Sequence, residues 1–202
     1  DDLQDGGARH VAATVRAIRE HSPGTLIETL VGDFGGQLRD VATLVEAGRP
    51  DVFAHNVEVV PRLQRSMRDA RCSWERSLAV LAAARQAGAK VRKSSLMVGC
   101  GEEPAEVLEA MERLHAADVD VLTIGQYLRP TEKHAKVARY VEPEEFASYE
   151  RAGRALGFAY VASGPLVRSS YRAAEAFLSG ILRGRDAPYS DRYGKRRLEI
   201  VS

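Results

Sequence analysis

Cysteine is scarce in this chain of 202 residues, which contains only Cys72 and Cys100 and no Cys-x-x-Cys motif. Two thiols so far apart in the sequence argue against a disulfide framework. Two thiols alone also cannot hold an iron–sulfur cluster or a structural zinc ion. We therefore expect each cysteine to be a small hydrophobic residue of the core.

Charge of one sign is not in excess, because 29 lysines and arginines stand against 28 aspartates and glutamates, for a net charge of +1. This balance gives no argument for a polyanionic partner, and we expect no nucleic acid among the partners. No apolar run approaches the ~20 residues that a membrane helix needs, and the first residues do not resemble a secretion signal. We expect a cytoplasmic protein without a membrane partner.

Helical and extended patterns alternate along the chain. Apolar, β-branched segments predict strands, and apolar residues at helical spacing follow most of them. The predicted strands are residues 25–31, 51–53, 96–98, 119–124 and 158–162. Strands that alternate with helices form parallel sheets. Five strands do not close an eight-stranded barrel, so the predicted fold class is α/β with an open or partial (β/α) barrel.

Glycine and polar residues follow the predicted strands rather than precede them, which predicts a site at the carboxyl edge of the sheet. In the stretch 93–103, for example, an apolar run ends in Gly99 and Gly101 and then turns acidic. Two glycines allow a ligand to approach the main chain, but the stretch contains neither a Walker lysine pattern nor Gly-x-Gly-x-x-Gly. A plain strand-to-helix turn, with Pro104 in the first helical turn, is the alternative.

Asn56 and Glu58 form a second polar pair at the end of a predicted strand. If the strand geometry continues, their side chains point to the same side of the sheet. The alternative is that they cap the helix that follows. His55 and His134 have the pattern of hydrogen-bonded structural histidines rather than of ligands.

Four of these strand-end loops carry distinctive motifs. They are His-Asn-Val-Glu at 55–58, Lys-Ser-Ser-Leu-Met-Val-Gly-Cys-Gly-Glu at 93–102, Gly-Gln-Tyr-Leu-Arg-Pro at 125–130, and Gly-Pro-Leu-Val-Arg-Ser-Ser-Tyr at 164–171. Any one of them alone would be a weak signal. Together and in this order they resemble the lipoyl synthase family of radical S-adenosylmethionine enzymes, from residue 1 to about residue 175.

The resemblance implies a partial (β/α) barrel of the radical SAM type that binds S-adenosylmethionine and two four-iron four-sulfur (4Fe-4S) clusters. It also implies an enzyme that inserts two sulfur atoms, at C6 and C8, into an octanoyl chain carried on a lysine of a lipoyl carrier domain. That domain would be part of a dehydrogenase E2 subunit or would be the glycine cleavage H protein. We expect a bacterial cytoplasm rather than an organelle.

Two cysteine triads hold the clusters in the family, and this chain contains neither. Both triads precede the part of the family pattern that residues 1–7 match. We therefore expect the C-terminal portion of a longer protein, without the N-terminal strand or strands of its barrel and inactive alone. The expected domains are a barrel core at 1–163 and a C-terminal segment at 164–202, with the Arg-Ser-Ser-Tyr motif and a loose tail. Cys100 stands where the family usually has an aliphatic residue, so we expect it in the core.

The resemblance also implies which residues bind the cofactor. Seven residues would contact S-adenosylmethionine: Asn56 and Glu58 at the ribose, Met97, Gly99 and Glu102 at the adenine, and Asp5 and Gly6 at the methionine end.

One catalytic residue and metal ligand, Ser170, is implied in the same way, with Ser169 as the second choice. In the family, a serine of Arg-Ser-Ser-Tyr binds an iron of the auxiliary cluster. An alkoxide is a harder and more labile iron ligand than a thiolate, so that corner can open when the cluster gives up sulfur. The local sequence by itself favours a Ser-Ser cap at the start of a terminal helix.

Two other functions stay open at this point. A cluster-free relative of the family would bind a lipoyl carrier domain or a nucleoside without catalysis. An unrelated barrel enzyme, such as an aldolase, would need a Schiff-base lysine at a strand end. Lys93 is a poor candidate for that lysine, because it precedes the end of its predicted strand.

Overall fold

The structure of the protein is a computed structural model that describes residues 3–169. Ser170 and the predicted tail lie outside the described residues. The helices are α1 (Ala8–His21), α2 (Leu38–Gly48), the short α3 (Gln64–Met67), α4 (Trp74–Gln86), α5 (Pro104–Ala116) and α6 (Pro143–Leu156). The strands are β1 (Glu28–Leu30), β2 (Val52–Ala54), β3 (Arg92–Val98), β4 (Val121–Gln126) and β5 (Tyr160–Gly164).

The five strands form one sheet in the order β1-β2-β3-β4-β5, and every neighbouring pair is parallel. Each strand therefore lies beside the next strand of the sequence, which is the connectivity of a (β/α) barrel. Within residues 3–169, β1 and β5 are the two edges and do not pair with each other, so the sheet is open. The predicted α/β class with a parallel, partial barrel is confirmed.

Side chains alternate between the two faces of β3. Leu96 and Val98 belong to the main apolar core, together with side chains of α5 and α6. Lys93 and Met97 lie on the opposite face, where Lys93 Nζ donates to both carboxylate oxygens of Glu28 on β1, at 2.9 and 2.8 Å. The ion pair occupies the amine that a Schiff-base aldolase would require, so this alternative loses the lysine considered for it.

The helices cover one face of the sheet and supply most of its core. Helix α5 buries residues at helical spacing, namely Val107, Ala110, Met111 and Leu114. A second cluster packs α2 and α4 against β2, around Leu44, Val80 and Phe53. None of the helices within the described range is long and apolar enough to cross a bilayer.

Helix α4 begins earlier than the apolar pattern predicts. The periodicity predicts a helix over 77–87, whereas the helix starts at Trp74. The Ser73 side chain caps it by accepting a hydrogen bond from Arg76 N–H at 3.1 Å. Trp74 is buried and donates its ring N–H to the carbonyl of Val59 at 2.6 Å. The charged residues that follow Trp74 interrupt the apolar spacing, so the pattern does not predict this first turn.

Two leucines on α5 allow a matched test of the core. Leu114 is 0% exposed and Leu108 is 39% exposed. We expect Leu114→Ala to lower the free energy of unfolding by about 2–5 kcal/mol, because the lost contacts leave a cavity. Leu108→Ala should lower it by less than about 1 kcal/mol. Urea denaturation of the chain measures both values, and equal losses would contradict the packing described.

Candidate functional site

Asn56 and Glu58 lie just beyond the carboxyl end of β2, where the chain leaves strand geometry. Glu58 has a φ of 67°, which is uncommon for a residue with a side chain. Its N–H donates to the carbonyl of Ser95 at 3.1 Å, and its carbonyl accepts from Met97 N–H at 2.7 Å. This isolated parallel bridge to β3 fixes Glu58 at the rim. The two polar residues do lie together, as the sequence predicts, but a left-handed residue rather than a continued strand brings them there.

Burial and nearby groups act in opposite directions on the Glu58 carboxyl. Burial raises its pKa above the ordinary value, whereas a hydrogen bond from the Asn56 side chain and the positive charge of Arg68 lower it. The amide oxygen of Asn56 is buried and accepts no hydrogen bond within the described part of the chain. The segment therefore presents a carboxylate and an unsatisfied amide oxygen, both of which accept hydrogen bonds from hydroxyl groups.

The helix-cap alternative for Asn56 and Glu58 is wrong. The next helical turn, Pro61–Leu63, has Val60 at its N-cap, and α3 has Leu63 at its N-cap. No side chain makes a capping hydrogen bond at either helix start. The amide and the carboxylate thus remain directed at the space beside the strand ends.

Two cavities share Asn56 and Glu58. The larger, of about 740 Å³, extends towards the loop after β1 and is lined in part by Gly6. The smaller, of about 170 Å³, extends over the ends of β3 and β4 and is lined in part by Met97 and Ser169. The structure therefore brings together five of the residues that the resemblance singled out, at the edge of the sheet where the sequence predicts a site.

A third cavity, of about 850 Å³, lies at the amino-terminal ends of the strands, among the C-terminal ends of α1, α2 and α4. Arg49 and Lys90 are part of its lining. None of the residues predicted to bind a cofactor lies there. In barrel folds the amino-terminal ends of the strands serve stability, and the carboxyl ends carry the chemistry. The third cavity is therefore not the candidate site, although its volume is greater.

Asp5 lies beside the larger cavity without lining it. Its carboxylate accepts hydrogen bonds from the N–H groups of Gly7, at 3.1 Å, and Arg9, at 3.2 Å. The bond from the Arg9 main chain is the largest of the contributions that lower the pKa of Asp5. Asp5 thus closes the first turn of α1 and holds the bend that brings Gly6 to the cavity.

Gly99 and Glu102 lie behind the crevice rather than on its surface. Glu102 is 3% exposed and accepts hydrogen bonds from the N–H groups of Gly99, at 2.6 Å, and Cys100, at 2.9 Å. Gly99 has a φ of 92°, and a Cβ there would clash with the Gln126 amide and come within 2.6 Å of the Arg139 carbonyl oxygen. The two residues hold the loop after β3 tightly against the loop after β4.

Gln126, at the end of β4, fixes the far end of the loop that follows it, and the sequence motifs give no sign of this role. Its amide nitrogen donates to the Arg139 carbonyl at 3.1 Å, and its amide oxygen accepts from Val141 N–H at 2.9 Å. Arg139 also forms a two-pronged ion pair with Glu145 at the start of α6, at 2.7 and 2.6 Å. The segment between β4 and α6 is therefore fixed to the rim near its C-terminal end.

Arg68 is a second rim residue that the sequence does not predict. It follows α3 in the charged connection between β2 and α4, and it lines the larger cavity. Arg76 and Asp33, which also line this cavity, form an ion pair at 3.3 Å. An isolated arginine in a charged segment has no local pattern that distinguishes it from a solvated one, so only the fold identifies Arg68.

The described residues do not fit a metal cluster. Within residues 3–169, no three His, Cys, Asp or Glu side chains are placed to hold a metal ion. Cys100 packs against the main core, and burial raises the pKa of its thiol to about 12. This position agrees with the predicted core role. The acceptors of Asn56 and Glu58, in contrast, fit the hydroxyl groups of a nucleoside.

The family is shown by comparison with known proteins. Residues 7–114, more than half of the chain, match the family model described as "Radical SAM superfamily". The match includes the segments of Asn56, Glu58 and Met97. The chain therefore belongs to the radical SAM superfamily.

Within that superfamily the chain is similar to lipoyl synthases. It is 55% identical over 197 residues to the lipoyl synthase of Sorangium cellulosum, and the matched region covers 90% of this chain and 53% of that protein. It is 54% identical over 184 residues to the lipoyl synthase of Thermus thermophilus, which covers 91% and 57%. Lipoyl synthase 2, chloroplastic, of Oryza sativa subsp. indica is 52% identical over 188 residues, which covers 93% and 49%. The resemblance to lipoyl synthases is confirmed, and the chain spans about half the length of these curated relatives.

Gly99 and Gly101 provide a matched test of the closed rim. Both have a left-handed backbone, with φ of 92° and 107°, but only Gly99 lacks space for a Cβ. We expect Gly101→Ala to cost about 1–2 kcal/mol of stability from backbone strain alone. Gly99→Ala should cost about 1–3 kcal/mol more, because the loop after β4 must move away. Urea denaturation compares the variants, and equal costs would mean that the two loops do not close on Gly99.

Proposed function

We propose that the crevice around Asn56 and Glu58 binds the nucleoside part of S-adenosylmethionine in a lipoyl synthase. The proposal rests on two hydrogen-bond acceptors, the Asn56 amide oxygen and the Glu58 carboxylate, whose residues line two cavities at the carboxyl rim. The Asn56 oxygen is buried and has no hydrogen-bond partner among the described residues. The two hydroxyl groups of a ribose are donors of matching chemistry. A buried amide oxygen without a partner costs about 1–3 kcal/mol, and a bound ribose would remove that cost.

The other rim residues support the same ligand in different ways. Met97 offers a polarisable, apolar side chain to the smaller cavity, which suits the face of an adenine ring. Gly99 and Glu102 set the shape of the loop that lies on the adenine side. Because the Glu102 carboxylate already accepts hydrogen bonds from main-chain N–H groups of this loop, it supports the ligand indirectly. Gly6 faces the methionine end, and Asp5 holds the turn that carries it.

The reaction that we propose for the whole protein is insertion of sulfur at C6 and C8 of an octanoyl chain on a lipoyl carrier domain. When bound, S-adenosylmethionine would supply the 5′-deoxyadenosyl radical chemistry that abstracts hydrogen from these carbons, and the one electron needed to cleave it would come from a cluster of the whole protein. The residues of this chain bind the ribose and fix its position at the rim. The cysteine ligands of two 4Fe-4S clusters are absent from the 202 residues, so none of these residues is assigned to that electron transfer.

We propose that this chain contacts the auxiliary cluster of the whole protein through the Arg-Ser-Ser-Tyr motif. Arg168 and Ser169, the described part of the motif, line the same small cavity as Asn56 and Glu58. Ser170, the preferred ligand, lies outside the described residues. The carrier domain, whether on a dehydrogenase E2 subunit or as the glycine cleavage H protein, would approach this rim in a bacterial cytoplasm.

Glu58→Gln tests the proposed ribose contact. We expect adenosine to bind this variant about 10-fold more weakly than the wild type, because the charge-assisted hydrogen bonds to the ribose are lost. 2′,3′-Dideoxyadenosine should bind both proteins equally weakly. Isothermal titration calorimetry measures these affinities, with Glu109→Gln on the exposed side of α5 as the control. Equal affinity of the wild type for the two nucleosides would contradict the proposal.

The pH dependence of adenosine binding provides a second readout on the same variant. Burial raises the pKa of Glu58 above its ordinary value of 4.5. The carboxylate is therefore present above the raised pKa and is lost, on acidification, at a higher pH than for an exposed glutamate. The affinity should fall through that range in the wild type and stay flat in Glu58→Gln.

Reconstitution of the 202-residue chain with iron and sulfide tests its dependence on further ligands. We expect no conversion of an octanoylated carrier domain into a lipoylated one, because two cysteines cannot supply the ligands of two clusters. Mass spectrometry of the carrier detects the added sulfur. A lipoylated product would show that our account of the cluster ligands is wrong.

A further inference from the structure

Both ring nitrogens of His55 are engaged inside the protein. Nδ1 lies 2.9 Å from the carbonyl oxygen of Val31, and Nε2 lies 2.9 Å from the hydroxyl of Ser77. A carbonyl only accepts, so Nδ1 carries the hydrogen and Nε2 is the acceptor for the Ser77 hydroxyl. His55 is 3% exposed, and burial, the largest contribution, lowers its pKa, which favours this neutral form.

Ser77, whose hydroxyl is oriented by His55, in turn binds an arginine. Its side chain is 0% exposed, and its hydroxyl hydrogen points to His55. The lone pairs of its oxygen therefore face Arg68, whose Nη1 lies 3.2 Å away. The hydrogen bonds form a continuous series from the end of β1, through β2 and α4, to the guanidinium of Arg68.

Arg68 is held by one of its three guanidinium nitrogens. Nη1 also lies 3.2 Å from the carbonyl oxygen of Val57 and 3.1 Å from the amide oxygen of Gln64, so its two hydrogens are shared among these two acceptors and the Ser77 hydroxyl. Nε and Nη2 make no hydrogen bond to other atoms of the described chain. The side chain lines the larger cavity together with Asn56 and Glu58. The guanidinium thus lines the same cavity as the Glu58 carboxylate, its charge acts on that carboxylate, and it binds the carbonyl of Val57, the residue that immediately precedes Glu58.

We propose that His55 and Ser77 are positioning residues that hold the Arg68 guanidinium beside Glu58 and so keep this carboxylate charged and aimed at a ribose. The inference deepens the proposed function and rests on it, because the ribose is the group that Glu58 would bind. Its physical basis is that a carboxylate accepts charge-assisted hydrogen bonds at both oxygens only while it is ionised, because protonation turns one of the two oxygens into a donor. A cation kept in one place by three acceptors opposes the effect of burial without itself closing the cavity.

The first test measures the Glu58 carboxyl in the ligand-free chain. The carboxyl ¹³C shift, followed against pH by NMR, reports the pKa of Glu58. We expect this pKa to rise in Arg68→Met and, by a smaller amount, in Ser77→Ala. Arg65→Met is the matched control, because Arg65 is an exposed arginine on the neighbouring α3, and it should leave the pKa unchanged. An unchanged pKa in Arg68→Met, or an equal rise in Arg65→Met, would overturn the proposal.

The second test is a double-mutant cycle read by adenosine binding. Ser77→Ala should weaken binding about 3- to 10-fold in the wild type and less than about 2-fold in the Glu58→Gln background. A role of Ser77 in stability alone predicts the same loss in both backgrounds, and that result would overturn the proposal. Thermal unfolding shows that each variant is folded at the temperature of the measurement.

The two tests separate this inference from the function on which it rests. Equal binding of adenosine and 2′,3′-dideoxyadenosine by the wild type would remove the proposed ribose site. The pKa of Glu58 in the ligand-free chain would still show whether Ser77 and Arg68 act together on this carboxyl.

Discussion

The carboxyl rim depends on one main-chain contact, the bridge that joins Glu58 to β3. Two hydrogen bonds, from Glu58 N–H to Ser95 and from Met97 N–H to Glu58, hold a residue whose φ is 67°. A left-handed residue with a side chain costs on the order of 1–3 kcal/mol, and it persists only where its surroundings fix it. The bridge supplies that constraint. It turns the chain after β2 over the edge of the sheet and places a carboxylate next to the end of β3.

The rim residues divide into those that face the crevice and those that build its wall. Asn56, Glu58 and Met97 face the cavities. Gly99 and Glu102 are used internally, where a carboxylate satisfies two main-chain N–H groups and a glycine admits the next loop. This division has a physical reason, because a loop that presents groups to a ligand must itself be rigid. Gly99 and Glu102 fix the loop that directly follows Met97.

The sequence predicts the fold well because the signals of the fold are local. The alternation of apolar segments predicts a parallel sheet, and the loops at strand ends predict the correct edge. The same signals place Asn56 and Glu58 together. They do not reveal whether Glu102 faces a ligand or its own backbone, since the residue type is the same in both cases. Arg68 and Gln126 are missed because their partners are defined by tertiary contacts rather than by spacing along the chain.

The central claim is that the chain holds a ribose at the carboxyl edge of its sheet. The most direct measurement is a titration of the ¹⁵N-labelled chain with 5′-deoxyadenosine, followed by NMR of its main-chain and Asn56 side-chain amides. We expect shifts concentrated at Asn56, Glu58 and Met97. Shifts confined to the opposite cavity, around Arg49 and Lys90, or no shifts at saturating nucleoside, would contradict this claim.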